Sequence, residues 1–249
     1  MHTIRRRWLA VIILALAALF VLPSCCTQHG EPRWLIRGLP GSYPEIVYFV
    51  PTDYHGVALT IDDGVDPDTT PAILDALRTH GGTATFFLLS DTIEGNEALV
   101  RRILDEGHEI GHHMTRDEVT VDLSGDELRE KFNRAADNLE RFSAVTWFRP
   151  GSGRYNEDIL ALTRKRGYRI ALASTPPLDT VLDDPERMAG LIIRMVEPGS
   201  VIVLHDRGDR GVRTLETLKL MLPVLADRRY AVSTLSELDA KVSSTENGR

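Results

Sequence analysis

Two adjacent aspartates, Asp62 and Asp63, follow a short apolar run and precede a glycine. Polar groups able to complete a metal hydrolase site follow later apolar runs; they are His113, Arg149, Ser174 and His205. Because the carboxyl ends of parallel barrel strands meet at one mouth, we expect these side chains to converge there. Converging carboxylates and imidazoles hold divalent cations and transfer protons in metal-assisted hydrolysis. The spacing therefore predicts a hydrolytic metal site.

The remaining sequence predicts a fold that can position such a site. Apolar runs alternate with helical patterns, which is typical of a parallel sheet with helices packed outside it. The predicted strands are residues 57–61, 84–89, 108–111, 145–149, 168–173, 200–204 and 230–233. Seven strands indicate an incomplete barrel, so the predicted fold class is α/β, a distorted (β/α)7–8 barrel.

Helix-start signals agree with this alternation. Thr70 and Pro71 are expected to begin one helix, because proline is favoured in the first helical turn. The capping box Ser124–Glu127 begins a second helix, whose apolar residues recur at spacings of three and four. Further helices are expected to start at Asn156, at Asp184 and near Thr214.

The first 26 residues differ in composition from the rest of the chain. Arg5–Arg7 precede an apolar run from Trp8 to Leu22, an order that predicts an export signal over residues 1–26. The run has about 15 residues, fewer than the roughly 20 that cross a bilayer, so a cleaved signal is favoured over a spanning anchor. The segment ending at Cys25 resembles a bacterial lipoprotein box, which makes Cys25 a candidate for lipid attachment.

Residues 53–240 contain no linker or repeat and are predicted to form one domain. Residues 27–52 are predicted to be an N-terminal arm or tether, and residues 241–249 a disordered tail. Both cysteines lie in the signal segment, so the domain can form neither a disulfide nor a thiolate metal site. The formal net charge of −7 argues against a nucleic-acid partner. Membrane contact is expected only through the signal or a lipid anchor, and no oligomeric state is indicated.

Five segments, in order, resemble the motifs of the polysaccharide deacetylases of NodB-homology type, also called carbohydrate esterase family 4. The segments are Thr60–Gly64, Gly107–His113, Arg149–Gly153, Pro177–Asp179 and Val203–Asp206. The resemblance covers about residues 53–240 and implies a single NodB-type domain.

The resemblance implies a role for each matched residue. Asp62 is the expected general base, and Asp63 is an expected metal ligand. Arg149 would pair with Asp62, and the backbone N–H of Ser152 would stabilise the oxyanion. His205 is the expected general acid. In isolation each motif also has a plain structural interpretation, such as a solvated turn or a surface ion pair, and the order of all five favours the catalytic one.

The chain departs from the family pattern at three places, one of which is Gly151–Gly153, where the family has Pro-Tyr-Gly. The family's second histidine ligand is replaced by Asp117, so the predicted metal site is Asp63, His113 and Asp117. The alternative is that Asp117 only caps a turn. His112 is expected to face away from the metal, because neighbouring side chains in an extended segment point oppositely. The aspartate that tunes the catalytic histidine is also replaced, and Asp179 is its candidate substitute.

The expected cofactor is a divalent metal, zinc in the first place. The added carboxylate is a harder donor than imidazole, so cobalt, manganese and magnesium are alternatives. The expected function is removal of N-acetyl groups from an acetylated polysaccharide or oligosaccharide that contains N-acetylglucosamine, either chitin-like or peptidoglycan. An O-acetyl esterase of the xylan type and a non-catalytic carbohydrate-binding lipoprotein are the alternatives. The expected location is periplasmic, in the cell envelope or secreted.

Overall fold

The computed structural model describes residues 44–246, with side chains through Val242. Its eight strands are β1 Ile46–Val47, β2 Gly56–Asp62, β3 Thr85–Leu88, β4 Glu109–His112, β5 Trp147–Phe148, β6 Arg169–Ala171, β7 Val201–His205 and β8 Ala231–Ser233. They form one sheet in the order β1-β6-β5-β4-β3-β2-β7, with β8 beside β2. All of these strand pairs are parallel. An antiparallel bridge between Phe49 and Ser200 joins the two ends of the sheet.

Seven α-helices alternate with these strands in the described residues. They are α1 Thr70–Thr79, α2 Glu97–Asp105, α3 Gly125–Glu140, α4 Glu157–Arg166, α5 Pro185–Met195, α6 Gly208–Asp227 and α7 Leu235–Glu246. The predicted fold class, a distorted (β/α) barrel, is therefore confirmed. Within the described range, no helix has both the length and the apolar character needed to cross a membrane.

The interior of the barrel is filled by apolar side chains below the site. Residues at alternate positions of β2 face the interior, where Ala58 packs with Phe87, Trp147 and Leu235. The positions between them, such as Leu59, face the outer helices. Thr60 and Asp62 lie on the same face as Ala58, so their side chains point into the barrel above this packed layer.

The described structure extends into two segments that were predicted to lie outside the domain. Residues 46–50 belong to the barrel and not to an arm, because β1 pairs with β6 and both Val47 and Val50 are buried. The predicted disordered tail begins too early, since α7 continues through Glu246. Val242 packs against the interior cluster, and Lys241 lies over the Tyr54 ring at 5.3 Å. The predicted signal, Cys25 and residues 27–43 lie outside the described residues.

Two helices also differ from the prediction. The nine-residue helix α2 was not predicted, and only two of its residues, Val100 and Ile103, are fully buried. Helix α6 begins at Gly208 and not near Thr214. This earlier start places Arg210 in the first turn of α6, next to the mouth of the barrel.

Candidate active site

The strand ends bring the predicted catalytic residues together. Asp62 and His205 are direct register partners at the ends of β2 and β7. Beyond β4 and β5 the backbone ladder continues, and His113 and Arg149 donate their N–H groups to the neighbouring strands at 3.1 and 2.9 Å. Ser174 is not part of this group, because its hydroxyl accepts a hydrogen bond from the Val201 N–H at 2.9 Å.

The two adjacent aspartates point in different directions because the backbone turns between them. Asp62 is the last residue of β2, whereas Asp63 has a φ of 75°. Aspartate is one of the few residues that tolerate this left-handed conformation, and such strain concentrates at functional sites. A Cβ at Gly64 would lie 3.2 Å from Asp206 Oδ2, so a larger residue there would have to displace that carboxylate by a few tenths of an ångström.

Asp62 is held by a buried ion pair with Arg149, as predicted. Arg149 Nη1 lies 2.6 Å from Asp62 Oδ1, and both side chains are buried. The guanidinium also donates to the Thr60 hydroxyl at 2.7 Å and to the backbone carbonyls of Ala171 and Leu172 at 2.9 and 3.2 Å. With its donors engaged on several sides, Arg149 keeps the Asp62 carboxylate fixed in one orientation.

His205 is held by Asp179, the residue that the sequence indicated as the substitute tuning group. Asp179 is fully buried, and its two oxygens lie 3.0 and 3.1 Å from His205 Nδ1. The His205 backbone N–H also donates to Asp179 at 2.7 Å. Burial by itself lowers the pKa of His205, but the hydrogen bond and charge of Asp179 outweigh it and raise this pKa above the ordinary value. The imidazole is therefore prepared to hold a proton.

Asp63 and His113 form the cation-binding side of the site. His113 Nδ1 lies 2.7 Å from the Arg149 carbonyl, which can only accept, so Nδ1 carries a proton. The other ring nitrogen, Nε2, faces Asp63 Oδ1, which is 3.6 Å away. This outer hydrogen bond is the usual way in which a protein fixes a metal-binding histidine.

Asp63 carries a buried charge that is incompletely matched. Its Oδ2 atom is buried and accepts no hydrogen bond from the described part of the chain. Burial raises the pKa of Asp63, and the nearby Asp62 and Asp117 carboxylates raise it further, whereas His113 and His205 lower it. A carboxylate in this setting favours a nearby cation.

Asp117 is placed differently from the other two predicted ligands. Its side chain is 51% exposed, and its Oδ2 atom lies 3.5 Å from Arg210 Nη2. The same Arg210 atom lies 3.0 Å from Asp63 Oδ2. Arg210 is not among the predicted site residues, because helix α6 was expected to start near Thr214, further along the chain.

The Asp63–His113 pair fits a divalent cation. Two ligands of one tetrahedral cation, each at roughly 2.1 Å, are roughly 3.4 Å apart, close to the 3.6 Å between these two side chains. Across residues 44–246, however, no group of three His, Cys, Asp or Glu side chains surrounds a single metal position. Asp117 therefore stays a predicted third ligand, and the pair alone has the required geometry.

His112, adjacent to a predicted ligand, is structural, as predicted. It is fully buried, and its Nε2 lies 2.9 Å from the Phe132 carbonyl. Its Nδ1 accepts from the Met114 N–H at 3.2 Å, so the ring is neutral and faces away from Asp63. Burial lowers the pKa of His112 to about 4.

Ser152 lies in the turn that follows Arg149. Its side chain is exposed and its φ is 61°, between two glycines. Gly151 cannot be replaced, because a Cβ there would lie 1.9 Å from the Glu118 carbonyl oxygen. The turn is therefore packed closely on the loop that carries Asp117, and the proposed role of the Ser152 N–H stays a prediction.

Comparison with known proteins agrees with the hydrolytic chemistry that the geometry supports. A family model described as polysaccharide deacetylase matches residues 50–171. A peptidoglycan-N-acetylglucosamine deacetylase of Bacillus cereus is 33% identical over 201 residues, which cover 78% of this chain and 92% of that protein.

Two solved structures extend the comparison to the fold. A peptidoglycan N-acetylglucosamine deacetylase in complex with 4-naphthalen-1-yl-N-oxidanyl-benzamide superposes with a TM-score of 0.74 and 28% identity, covering 84% of this chain and 96% of that one. A family 4 acetyl xylan esterase from Clostridium thermocellum, in complex with a cobalt ion, superposes with a TM-score of 0.67 and 28% identity. That match covers 73% of this chain and 89% of the esterase.

Proposed function

Because this chain belongs to the polysaccharide deacetylase family, we propose that it hydrolyses the N-acetyl groups of N-acetylglucosamine residues in a polysaccharide. Peptidoglycan is the preferred candidate substrate, since the Bacillus cereus relative is named for it. A chitin-like polymer presents the same acetamido group and is the second candidate. The reaction releases acetate and leaves a free amine on the sugar.

The observation that carries this proposal is the arrangement of two buried proton-transfer pairs around one cation-binding pair. Asp62 with Arg149 and His205 with Asp179 lie at adjacent strand ends. Amide hydrolysis needs both a base that activates water and an acid that protonates the departing nitrogen. The site supplies one candidate for each step.

Asp62 is assigned as the base. One of its oxygens is bound by Arg149, and the other lies 4.0 Å from His113 Nε2, on the side where the cation would bind. A divalent cation held by Asp63 and His113 would polarise the acetyl carbonyl and make the attacking water more acidic. Asp62 then accepts the proton that this water loses, while Arg149 keeps the carboxylate oriented.

His205 is assigned as the acid. The Asp179 carboxylate stabilises the imidazolium, so His205 holds a proton that it can donate to the amine nitrogen as the tetrahedral intermediate collapses. The Ser152 backbone N–H is the candidate donor to the oxyanion. Asp62 and His205 therefore act at different steps of the reaction.

The metal is proposed to be zinc, with cobalt, manganese and magnesium as alternatives. One imidazole with carboxylate oxygens is a harder ligand set than several imidazoles, which makes the last three more competitive. The similarity to an acetyl xylan esterase that contains cobalt supports a site able to accept that ion.

The proposal is tested by acetate release from an N-acetylglucosamine oligomer. The purified chain is stripped of metal with a chelator and resupplied with zinc, cobalt, manganese or magnesium one at a time. Turnover restored by metal supports the proposal. A folded, metal-loaded chain that releases no acetate from this oligomer or from peptidoglycan contradicts it.

An O-acetyl esterase is the second candidate, and the similarity to the Clostridium thermocellum enzyme favours it. The same assay with acetylated xylan separates the two. A higher kcat/KM on xylan than on the N-acetylglucosamine oligomer assigns the chain to ester hydrolysis.

Export to the cell envelope is part of the proposal, because residues 1–26 have the composition of a signal and the candidate substrate lies outside the cytoplasm. Fractionation of cells that express the whole chain tests this location. A Cys25→Ser variant, compared with a Cys26→Ser control, tests lipid attachment. Loss of membrane association only in Cys25→Ser supports it, and equal fractionation of both variants contradicts it.

A further inference from the structure

Arg210 lies where it can compete with a metal ion. Its Nη2 atom is 3.0 Å from Asp63 Oδ2 and 3.5 Å from Asp117 Oδ2. These two carboxylates are both predicted metal ligands. One guanidinium therefore faces two of the groups that the cation would need.

The surroundings distinguish this contact from an ordinary surface ion pair. Asp63 is only 2% exposed, and its Oδ2 accepts no hydrogen bond within the described residues. The Arg210 contact is thus mainly an attraction between charges, without an aligned hydrogen bond. By contrast, Arg213 on the same helix pairs with Asp183, a side chain that is 95% exposed.

Arg210 is also able to move. Its side chain is 30% exposed, and it projects from the first turn of α6 on a long flexible stem. Asp117, its second partner, is half-exposed. Both groups can therefore swing away from Asp63 without disturbing the packed interior.

We infer that Arg210 is an internal competitor for the metal ion: it neutralises Asp63 and holds Asp117 aside in the metal-free chain, and it leaves Asp63 when a divalent cation binds. This inference rests on the proposed function, because it takes Asp63 as a metal ligand. Arg210 acts here as a positioning residue that sets metal affinity and does not touch the reacting atoms.

Removing the guanidinium is expected to strengthen metal binding for two reasons. A fixed positive charge within a few ångströms of the site repels a divalent cation, and Arg210 must give up its contacts with two carboxylates before the cation can use them. In Arg210→Met, which keeps an unbranched side chain but removes the charge, we expect at least about tenfold tighter binding.

The test is a calorimetric titration of the metal-free chain with Co²⁺. Arg207→Met is the matched control, because Arg207 is exposed and lies just before the same helix. We expect the control to bind Co²⁺ with the affinity of the wild type. We expect Arg210→Lys, which keeps the charge, to bind Co²⁺ less tightly than Arg210→Met does. If Arg210→Met unfolds, Arg210→Gln replaces it, since glutamine also removes the charge.

Unchanged or weaker Co²⁺ binding in Arg210→Met overturns the inference, because Arg210 would then be neutral or would help to build the site. If the wild type releases acetate but Arg210→Met binds Co²⁺ no more tightly than the wild type does, the inference is contradicted and the proposed function stands. A wild type that releases no acetate while Arg210→Met binds Co²⁺ more tightly defeats the proposed function and leaves the inference standing. Absence of Co²⁺ binding in both proteins defeats the inference, and acetate release with the other metals then decides the proposed function.

Discussion

The proton-transfer side of the site and the cation-binding side are built differently. Asp62 and His205 are each held by a buried partner, Arg149 and Asp179, at distances of 2.6 and 3.0 Å. On the other side, Asp63 has a buried oxygen without a hydrogen bond, and the nearest cationic partner of that oxygen is a movable arginine.

The difference shows which interactions the protein's own side chains complete before a cation or a substrate binds. Buried, hydrogen-bonded charge pairs are expensive to rearrange, so the base and the acid are preorganised before substrate arrives. The cation-binding side can change its partners, because Arg210 and Asp117 are both partly exposed. We therefore expect substitutions in the first part to affect turnover, and substitutions in the second part to affect metal affinity.

The largest effect is expected from Asp62→Asn. Losing the general base should lower kcat by about 10³-fold, while Co²⁺ affinity changes by less than about tenfold. Acetate release and calorimetry measure the two quantities. Asp126→Asn is the control, because that side chain is 94% exposed on helix α3. A large loss of Co²⁺ affinity in Asp62→Asn, with kcat little changed, would contradict the division between the two sides.

Asp179→Asn should lower kcat by about 10²-fold. The carboxylate raises the pKa of His205, so its loss lets the imidazolium lose its proton at lower pH. The descending basic limb of the pH–kcat profile should therefore move to lower pH. Asp183→Asn is the control, with a side chain that is 95% exposed. A basic limb at the same pH in wild type and Asp179→Asn would remove His205 as the general acid.

A substitution at Asp206 tests a buried carboxylate next to the site. This carboxylate accepts hydrogen bonds from the hydroxyls of Thr69 and Thr70. Burial raises the pKa of Asp206 to about 6, above the roughly 3.9 of an unfolded chain. The folded state thus keeps a proton that the unfolded state loses, so this group's contribution to stability falls as pH rises from about 4 to about 6.

The corresponding measurement is urea unfolding of wild type and Asp206→Asn at pH 4.5 and pH 7. Between these pH values, the wild type should lose about 2 kcal/mol of unfolding free energy relative to the variant. Other titrating groups cancel in this difference. A difference that is the same at both pH values would show that Asp206 is already ionised at pH 4.5 in the folded chain.

The smallest effect is expected from Thr60→Val. Thr60 donates to the Ile202 carbonyl at 2.6 Å and accepts from Arg149 at 2.7 Å, so its loss should lower the free energy of unfolding by about 1 kcal/mol. Thr217→Val makes the same change at a buried hydroxyl that has no hydrogen-bond partner among the described residues, and it should be neutral or stabilising. Equal destabilisation by both changes would mean that the Thr60 hydrogen bonds do not stabilise the fold.

Much of the proton-transfer side could be predicted from sequence, because its residues follow apolar runs and its motifs resemble those of a known family. Alternation along β2 directs Asp62 into the barrel, and the order of the strand ends brings Arg149 and His205 to it. The same alternation correctly turns His112 away. Asp179 was identified only as a candidate, since its contact with His205 depends on the path of a loop.

The cation-binding side was harder to predict because it depends on tertiary packing. Helix α6 begins six residues before Thr214, in a stretch where Gly208 and Gly211 weaken the helical signal. Gly211 is required there, since a Cβ would lie 2.7 Å from the Thr69 hydroxyl. This close approach fixes the first turn of α6, and with it Arg210. The short strand β1 was missed for a similar reason, because two residues show no periodicity.

The most direct test of this two-sided site is a crystal structure of the wild-type chain with Co²⁺, with anomalous data collected at the cobalt edge. We predict one cobalt peak bonded to Asp63 and His113 at roughly 2.1 Å, with Arg210 displaced from Asp63. The Arg149–Asp62 and Asp179–His205 contacts should be unchanged. A cobalt ion elsewhere, or one that binds only when those two pairs rearrange, would contradict the account.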